Sequence, residues 1–246
     1  YLALSRGSMD RSASGAPIFD VVVWSRATGT ATTITAGNAS SFGSDPRFAL
    51  GDRLPISDDG RYVTFTSSAT NLGPDANTLS DVFVRDRTAG TTERISESST
   101  EVQANGTSNE PSISADGSPV INYYDSTTRA LQVAKCANAA CTGTAAVATV
   151  DDPPGGDVGA YTSIALGSDL LPVISYLDVG ANALKVAKCG NPACSAGNTI
   201  TTIDGGPGVG SVGAFSAIAN GADGRPVVSY YDSSGSLKVA KCANAA

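Results

Sequence analysis

Not one of the 246 residues is a histidine. That absence removes Ser-His-Asp and Cys-His catalysis from within the chain, and every His-ligated metal with them. Basic residues are also short: 16 Lys and Arg stand against 23 Asp and Glu, a net charge of −7. Without a basic excess there is nothing to neutralise a phosphate backbone, so nucleic acid is excluded as a partner. The same balance suits a cation, a basic partner or plain solubility. No apolar run approaches the roughly 20 residues of a membrane span, and Val21-Val22-Val23-Trp24 reads as strand core. Nor does any helical stripe persist beyond about two turns. Aromatics are modest at 6%, whereas the 27 glycines suit many short strands joined by tight turns. The chain opens at Tyr1 without a Met, so the lack of a leader is uninformative and the compartment must be read from the cysteines.

Those cysteines are periodic. Leu184-Lys185-Val186-Ala187-Lys188-Cys189 recurs upstream as Leu131-Gln132-Val133-Ala134-Lys135-Cys136 and downstream as Leu237-Lys238-Val239-Ala240-Lys241-Cys242. Cys136, Cys189 and Cys242 stand 53 residues apart, as do Cys141 and Cys194. A fixed period of this size marks a repeat architecture. A partner for Cys242 would lie 53 residues after Cys194, past Ala246. A second repeat, offset by 61, matches Asp20 to Thr30 with Asp81 to Thr91, and places Tyr1-Leu2-Ala3-Leu4 on Tyr62-Val63-Thr64-Phe65. Both ends are therefore expected to be cut inside a repeat.

Each unit reads as four strands. A short strand a ends at an Asp-Gly turn (Asp59-Gly60, Asp116-Gly117, Asp223-Gly224), where glycine supplies the positive φ that a hairpin needs. Strand b follows at 62–66, 120–124, 173–177 and 227–231, and strand c at 82–85, 131–135, 184–188 and 237–241. Strand d is read at 92–96, 146–150 and 199–203. Four antiparallel strands in about 50 residues, repeated radially, describe an all-β chain folded as a β-propeller. The units run approximately 1–40, 41–104, 105–156, 157–209 and 210–246. The first is expected to lack strand a and the last strand d, as part of a larger propeller. A stacked solenoid is the alternative, with shorter coils.

Ile56-Ser57-Asp58-Asp59-Gly60-Arg61-Tyr62-Val63-Thr64-Phe65, with Asn71-Leu72 and Asp81-Val82-Phe83-Val84-Arg85-Asp86, resembles the TolB-type propeller repeat of bacterial envelope and secreted proteins. The resemblance covers residues 1–117; the Cys-containing units resemble only propeller repeats of no assigned activity. It implies a periplasmic or extracellular binding scaffold and brings no catalytic residues.

A four-residue loop between antiparallel strands c and d sets Cys136 against Cys141, and Cys189 against Cys194, at disulfide range. A thiolate metal site is the alternative, but the pairs fall on successive units rather than converging. Disulfides place the chain in an oxidising compartment: extracellular, cell-surface or periplasmic. Asp125, Asp178 and Asp232 recur after strand b. The b–c and d–a loops share one face, which adds Asp20, Asp75, Asp81, Asp151, Asp152, Asp157 and Asp204 to it, while Lys135, Lys188 and Lys241 fall toward the other. Such a face attracts a cation or basic partner; the competing role is that each Asp accepts N–H bonds in its own turn. Asp75-Ala76-Asn77 with Asp81 has the alternating oxygens of a calcium loop but lacks its Gly and distant Glu. Calcium is the one cofactor this pattern admits. The pairs Tyr123-Tyr124 and Tyr230-Tyr231 serve packing between units or stack on sugar, and Ser57-Asp58-Asp59-Gly60 falls short of a sialidase-type Asp-box.

No catalytic set emerges, and the sequence leans away from an enzyme. It points to a secreted or envelope-associated scaffold for a protein or glycan partner. The alternatives are the propeller of a carbohydrate-active enzyme, which needs only two positioned carboxylates, and a purely structural surface protein.

Overall fold

Val, Ile, Tyr and Thr dominate the stretches between the Gly-rich turns, and in the computed structural model they form strands throughout. It describes residues 2–11, 17–25, 27–33, 53–57, 59–68, 72–73, 77, 79–97, 107–114, 119–206 and 210–243. Among these residues every regular element is a β-strand. The first sheet contains β1 (Leu2–Arg11), β2 (Pro17–Ser25), β3 (Thr30–Thr33) and β4 (Arg53–Leu54), in the order β3-β2-β1-β4. The second holds β5 (Tyr62–Ser67), β6 (Asp81–Asp86) and β7 (Thr91–Arg94). The third runs β8 (Ser108–Ile113), β9 (Val120–Asp125), β10 (Ala130–Lys135), β11 (Ala146–Asp151). The fourth runs β12 (Val158–Leu166), β13 (Pro172–Asp178), β14 (Ala183–Lys188), β15 (Thr199–Gly205). The fifth has β16 (Val212–Asn220), β17 (Pro226–Asp232) and β18 (Leu237–Lys241). All pairings are antiparallel, the sheets pack face to face in chain order, and the fold is a β-propeller.

The core lies between sheets. Val120, Leu131, Val133 and Val150 of the third meet Val158, Ile164, Ile174 and Tyr176 of the fourth. Leu184 and Val186 of the fourth meet Val212, Ile218, Val228 and Tyr230 of the fifth. Strand β13 is buried along its whole length because a neighbour covers each face, which is why its sequence does not alternate.

The expected strand positions recur within a residue or two, with two differences. The strand expected to open the second unit is divided. Arg53 and Leu54 pair with Leu4 and Ala3 of β1, whereas Ile56 bridges Val63 of β5. Pro55 stands at the divide; its carbonyl accepts Thr64 N at 3.1 Å but it has no N–H to give either ladder. The first sheet, expected to lack strand a, thus has a fourth strand in β4, and the fifth sheet shows three. The inner strands of the last two sheets are also long, nine residues each, where a short strand was expected. Bulges let them continue: the register shifts around Ala160 and Ala214. Tyr161 and Phe215 take φ of 52° and 53° there. Gly159 and Gly213, at φ 105° and 112°, lie so close to the preceding sheet that an added Cβ would stand 2.9 and 3.0 Å from the Cα of Leu131 and Leu184.

Candidate functional site

The three recurrent aspartates close the turns that follow strand b. Asp125 Oδ1 accepts Thr127 N at 2.8 Å, Asp178 Oδ1 accepts Ala181 N at 2.8 Å, and Asp232 Oδ1 accepts Ser234 N at 2.9 Å and Ser236 N at 3.0 Å. In the fourth and fifth sheets a second set of contacts is built on the same carboxylates. Lys185 Nζ sits 2.6 Å from Asp178 Oδ2 and 3.6 Å from Asp151 Oδ2, the last residue of β11 in the preceding sheet. Tyr176 Oη donates to that same Asp151 oxygen at 2.7 Å. One repeat later, Lys238 Nζ is 3.3 Å from both Asp232 Oδ2 and Asp204 Oδ2, and Tyr230 Oη donates to Asp204 at 2.7 Å. The third sheet holds Gln132 in the lysine's place, where it accepts Thr149 Oγ1 at 3.2 Å.

Each cluster is a Tyr–Asp–Lys–Asp chain crossing a sheet boundary. Burial opposes the charge of Lys185, yet its hydrogen bond to Asp178 and the charge of Asp151 hold its pKa above the ordinary value. Burial and the bond to Asp151 push the Tyr176 phenol well up. Burial and Asp204 push Tyr230 up to about 12. The Tyr230 hydroxyl and Lys238 hold Asp204 below the carboxylate range, and bonds from Ser234, Ser236 and Lys238 bring Asp232 down to about 2. Each of these displacements, in Lys185, Tyr176, Tyr230, Asp204 and Asp232, leads away from the neutral range that proton transfer calls for.

Of the calcium pattern, Asp75 lies outside the described residues. Asn77 Oδ1 accepts Leu79 N at 2.9 Å, while Asp81 is buried, accepting Ser96 Oγ at 2.8 Å with Arg94 Nε 3.3 Å away. Among the described residues no three His, Cys, Asp or Glu side chains are grouped to hold a metal ion. The cysteines are paired: Cys136–Cys141 and Cys189–Cys194 are disulfides with Cα atoms 4.8 Å apart, and Cys242 is a free thiol. Asn138 and Asn191 shape these turns, their Oδ1 atoms accepting Ala140 N at 2.9 Å and Ala193 N at 3.0 Å. On the opposite face from the clusters, Lys188 and Lys241 pair with Asp169 and Asp223 at 2.6 and 2.7 Å.

The sequence reading placed Asp125, Asp178 and Asp232 on one face, and two of them meet a lysine and an aspartate there. It did not single out Lys185, Lys238, Tyr176 and Tyr230 as their partners. The signal was present: Tyr123 and Tyr176 stand 53 residues apart and Tyr230 follows after 54, while Lys185 with Lys238 and Asp151 with Asp204 keep the spacing of 53. Of the tyrosine pairs, Tyr123 and Tyr230 are buried, Tyr124 Oη donates to Asp157 at 3.0 Å, and Tyr231 is exposed.

A cavity of about 240 Å³ opens between β7 and the loop leading into β11, lined by Thr92, Glu93, Arg94, Glu97, Thr144 and Val147 among others. Burial pushes the Glu93 carboxyl above its ordinary pKa. Among the described residues no helix is long and apolar enough to cross a membrane.

No protein-family model matches the chain, and no curated protein sequence does. Among solved structures it is similar to the endo-arabinase from Bacteroides thetaiotaomicron, at 11% identity over 92% of this chain and 86% of that one, with a TM-score of 0.46. It is similar also to regucalcin, a calcium-binding protein from Agrobacterium tumefaciens (15% identity, 97% and 73% covered, TM-score 0.42). A third is the GH93 alpha-L-arabinofuranosidase of Fusarium graminearum (12% identity, 97% and 80% covered, TM-score 0.47).

Proposed function

We propose that this propeller is an extracytoplasmic binding scaffold for a protein or glycan partner. The observation that carries the reading is how its recurrent carboxylates are used. Asp151, Asp178, Asp204 and Asp232 are engaged by lysine, tyrosine or turn N–H groups, so they hold sheets together rather than wait for a substrate. The loops that these clusters fix in place form the face on which a partner binds. Two disulfides support an oxidising compartment, and the TolB-type resemblance supports the cell envelope or exterior. A glycan array read for both retention and hydrolysis tests the proposal: retention without turnover is expected, and hydrolysis would overturn the scaffold reading. Thiol titration of native protein under denaturant should count one free cysteine, rising to five after reduction. Five before reduction would remove the compartment argument.

A second reading, a carbohydrate-active propeller, is favoured by the cavity. Glu93 and Glu97 both line it, and the raised pKa of Glu93 is the direction a general acid requires. Should the array show hydrolysis, Glu93→Gln is expected to abolish it without lowering the melting temperature; unchanged turnover would exclude this site.

A further inference from the structure

One face of the fifth sheet repeats a docking surface that is occupied elsewhere in the molecule. Leu184 and Val186 of β14 are 0% and 6% exposed because β16 of the next sheet lies over them. Leu237 and Val239 hold the same places on β18, 53 residues on, and are 64% and 65% exposed. Phe215 and Tyr231 extend the patch, their ring centroids 6.3 Å apart. Other apolar side chains of the fifth sheet, such as Val228 and Tyr230, point back into the fourth.

The occupied interfaces state what the surface accepts. A glycine of the incoming inner strand rests on the leucine that opens strand c: Gly159 on Leu131, Gly213 on Leu184. A polar side chain in the middle of strand b bonds an incoming hydroxyl: Asn122 donates to Thr162 Oγ1, and Ser175 Oγ lies 2.9 Å from Ser216 Oγ. An incoming aromatic covers the outgoing one, as Phe215 covers Tyr161 at 4.6 Å. In the fifth sheet Leu237, Ser229 and Phe215 occupy the three receiving positions.

We propose that this face is the seat for one further sheet of the same repeat. Its inner strand reads apolar, Gly, Ala, aromatic, Ser or Thr, with its glycine on Leu237 and its hydroxyl at Ser229. The proposal rests on the blade interfaces and is independent of the functional reading above. A glycan stacked on Phe215 is the weaker occupant, since Tyr161 in the equivalent place is covered by protein.

The test joins a copy of residues 191–243 after Ala243, which continues the 53-residue spacing, and follows side-chain exposure by hydroxyl-radical footprinting. Labelling at Phe215, Tyr231 and Leu237 should fall about tenfold, as expected for a stably closed contact. Leu170, 71% exposed in a distant turn, should be unchanged. Replacing the copy's counterpart of Gly213 with valine should restore labelling while the copy's strands stay protected from hydrogen exchange. Undiminished labelling overturns the proposal, whether the added repeat is folded or not. So does protection of the original chain that grows with its concentration, which would assign the face to a second copy.

Discussion

Lys185 and Lys238 hold equivalent places in successive sheets, and their surroundings differ. The Lys185 side chain is 17% exposed, against Asp151 at 10% and Asp178 at 5%; Lys238 is 40% exposed. Removing a cation from between buried carboxylates leaves uncompensated charge, whereas an exposed pair is screened by water. Lys185→Met should therefore lower unfolding stability in urea by about 2 kcal/mol, discounted from a fully buried pair. Lys238→Met should cost clearly less; equal losses would show that burial does not govern these clusters. Acid should weaken the second cluster. Asp204 and Asp232 have depressed folded pKa values, so their stabilisation is present above the unfolded value near 4. It is lost as pH falls through the folded value, about 2 for Asp232. Hydrogen exchange in β17 should accelerate across that window, and Asp232→Asn should flatten the dependence.

At the scale of the element, the strands were legible because the period of 53 lines up turn signals with apolar runs. Gly60 and Gly224 adopt φ of 72° in the Asp-Gly turns, as that chemistry requires. The inner strands were less so. A glycine inside a strand ordinarily signals its weakening, yet in Val158-Gly159-Ala160-Tyr161 and Val212-Gly213-Ala214-Phe215 the glycine is what permits the closest approach between sheets. The division at Pro55 was hidden for another reason: Leu54 and Ile56 are alike in the sequence, and only the assembled sheets pair one with β1 and the other with β5. The Tyr–Asp–Lys–Asp clusters escaped because their members come from different strands of two sheets. Gly213→Val tests the element directly. A Cβ at φ 112° and 3.0 Å from Leu184 Cα has no room, and the expected loss is about 3 kcal/mol with separation of the fifth sheet's protection from the fourth's. A loss under about 1 kcal/mol would mean that the sheets do not meet there.

Across the whole molecule, cohesion between sheets rests on apolar burial, the glycine contacts and the polar clusters, repeated with small variations. The disulfides add no covalent link between sheets, for Cys136–Cys141 and Cys189–Cys194 each join residues five apart in one turn; what they bring to the contact is apolar bulk, buried against the preceding sheet. Covalently, therefore, the protein is a single thread with one small knot in each of two turns. A protease site placed at Pro154-Gly155, an exposed connector between the third and fourth sheets, should yield halves that co-elute on gel filtration. The same halves should part on a denaturing gel whether or not reductant is added. Severing the thread would leave the assembly standing, because its parts are held by contact and by no bond that crosses from one sheet to the next.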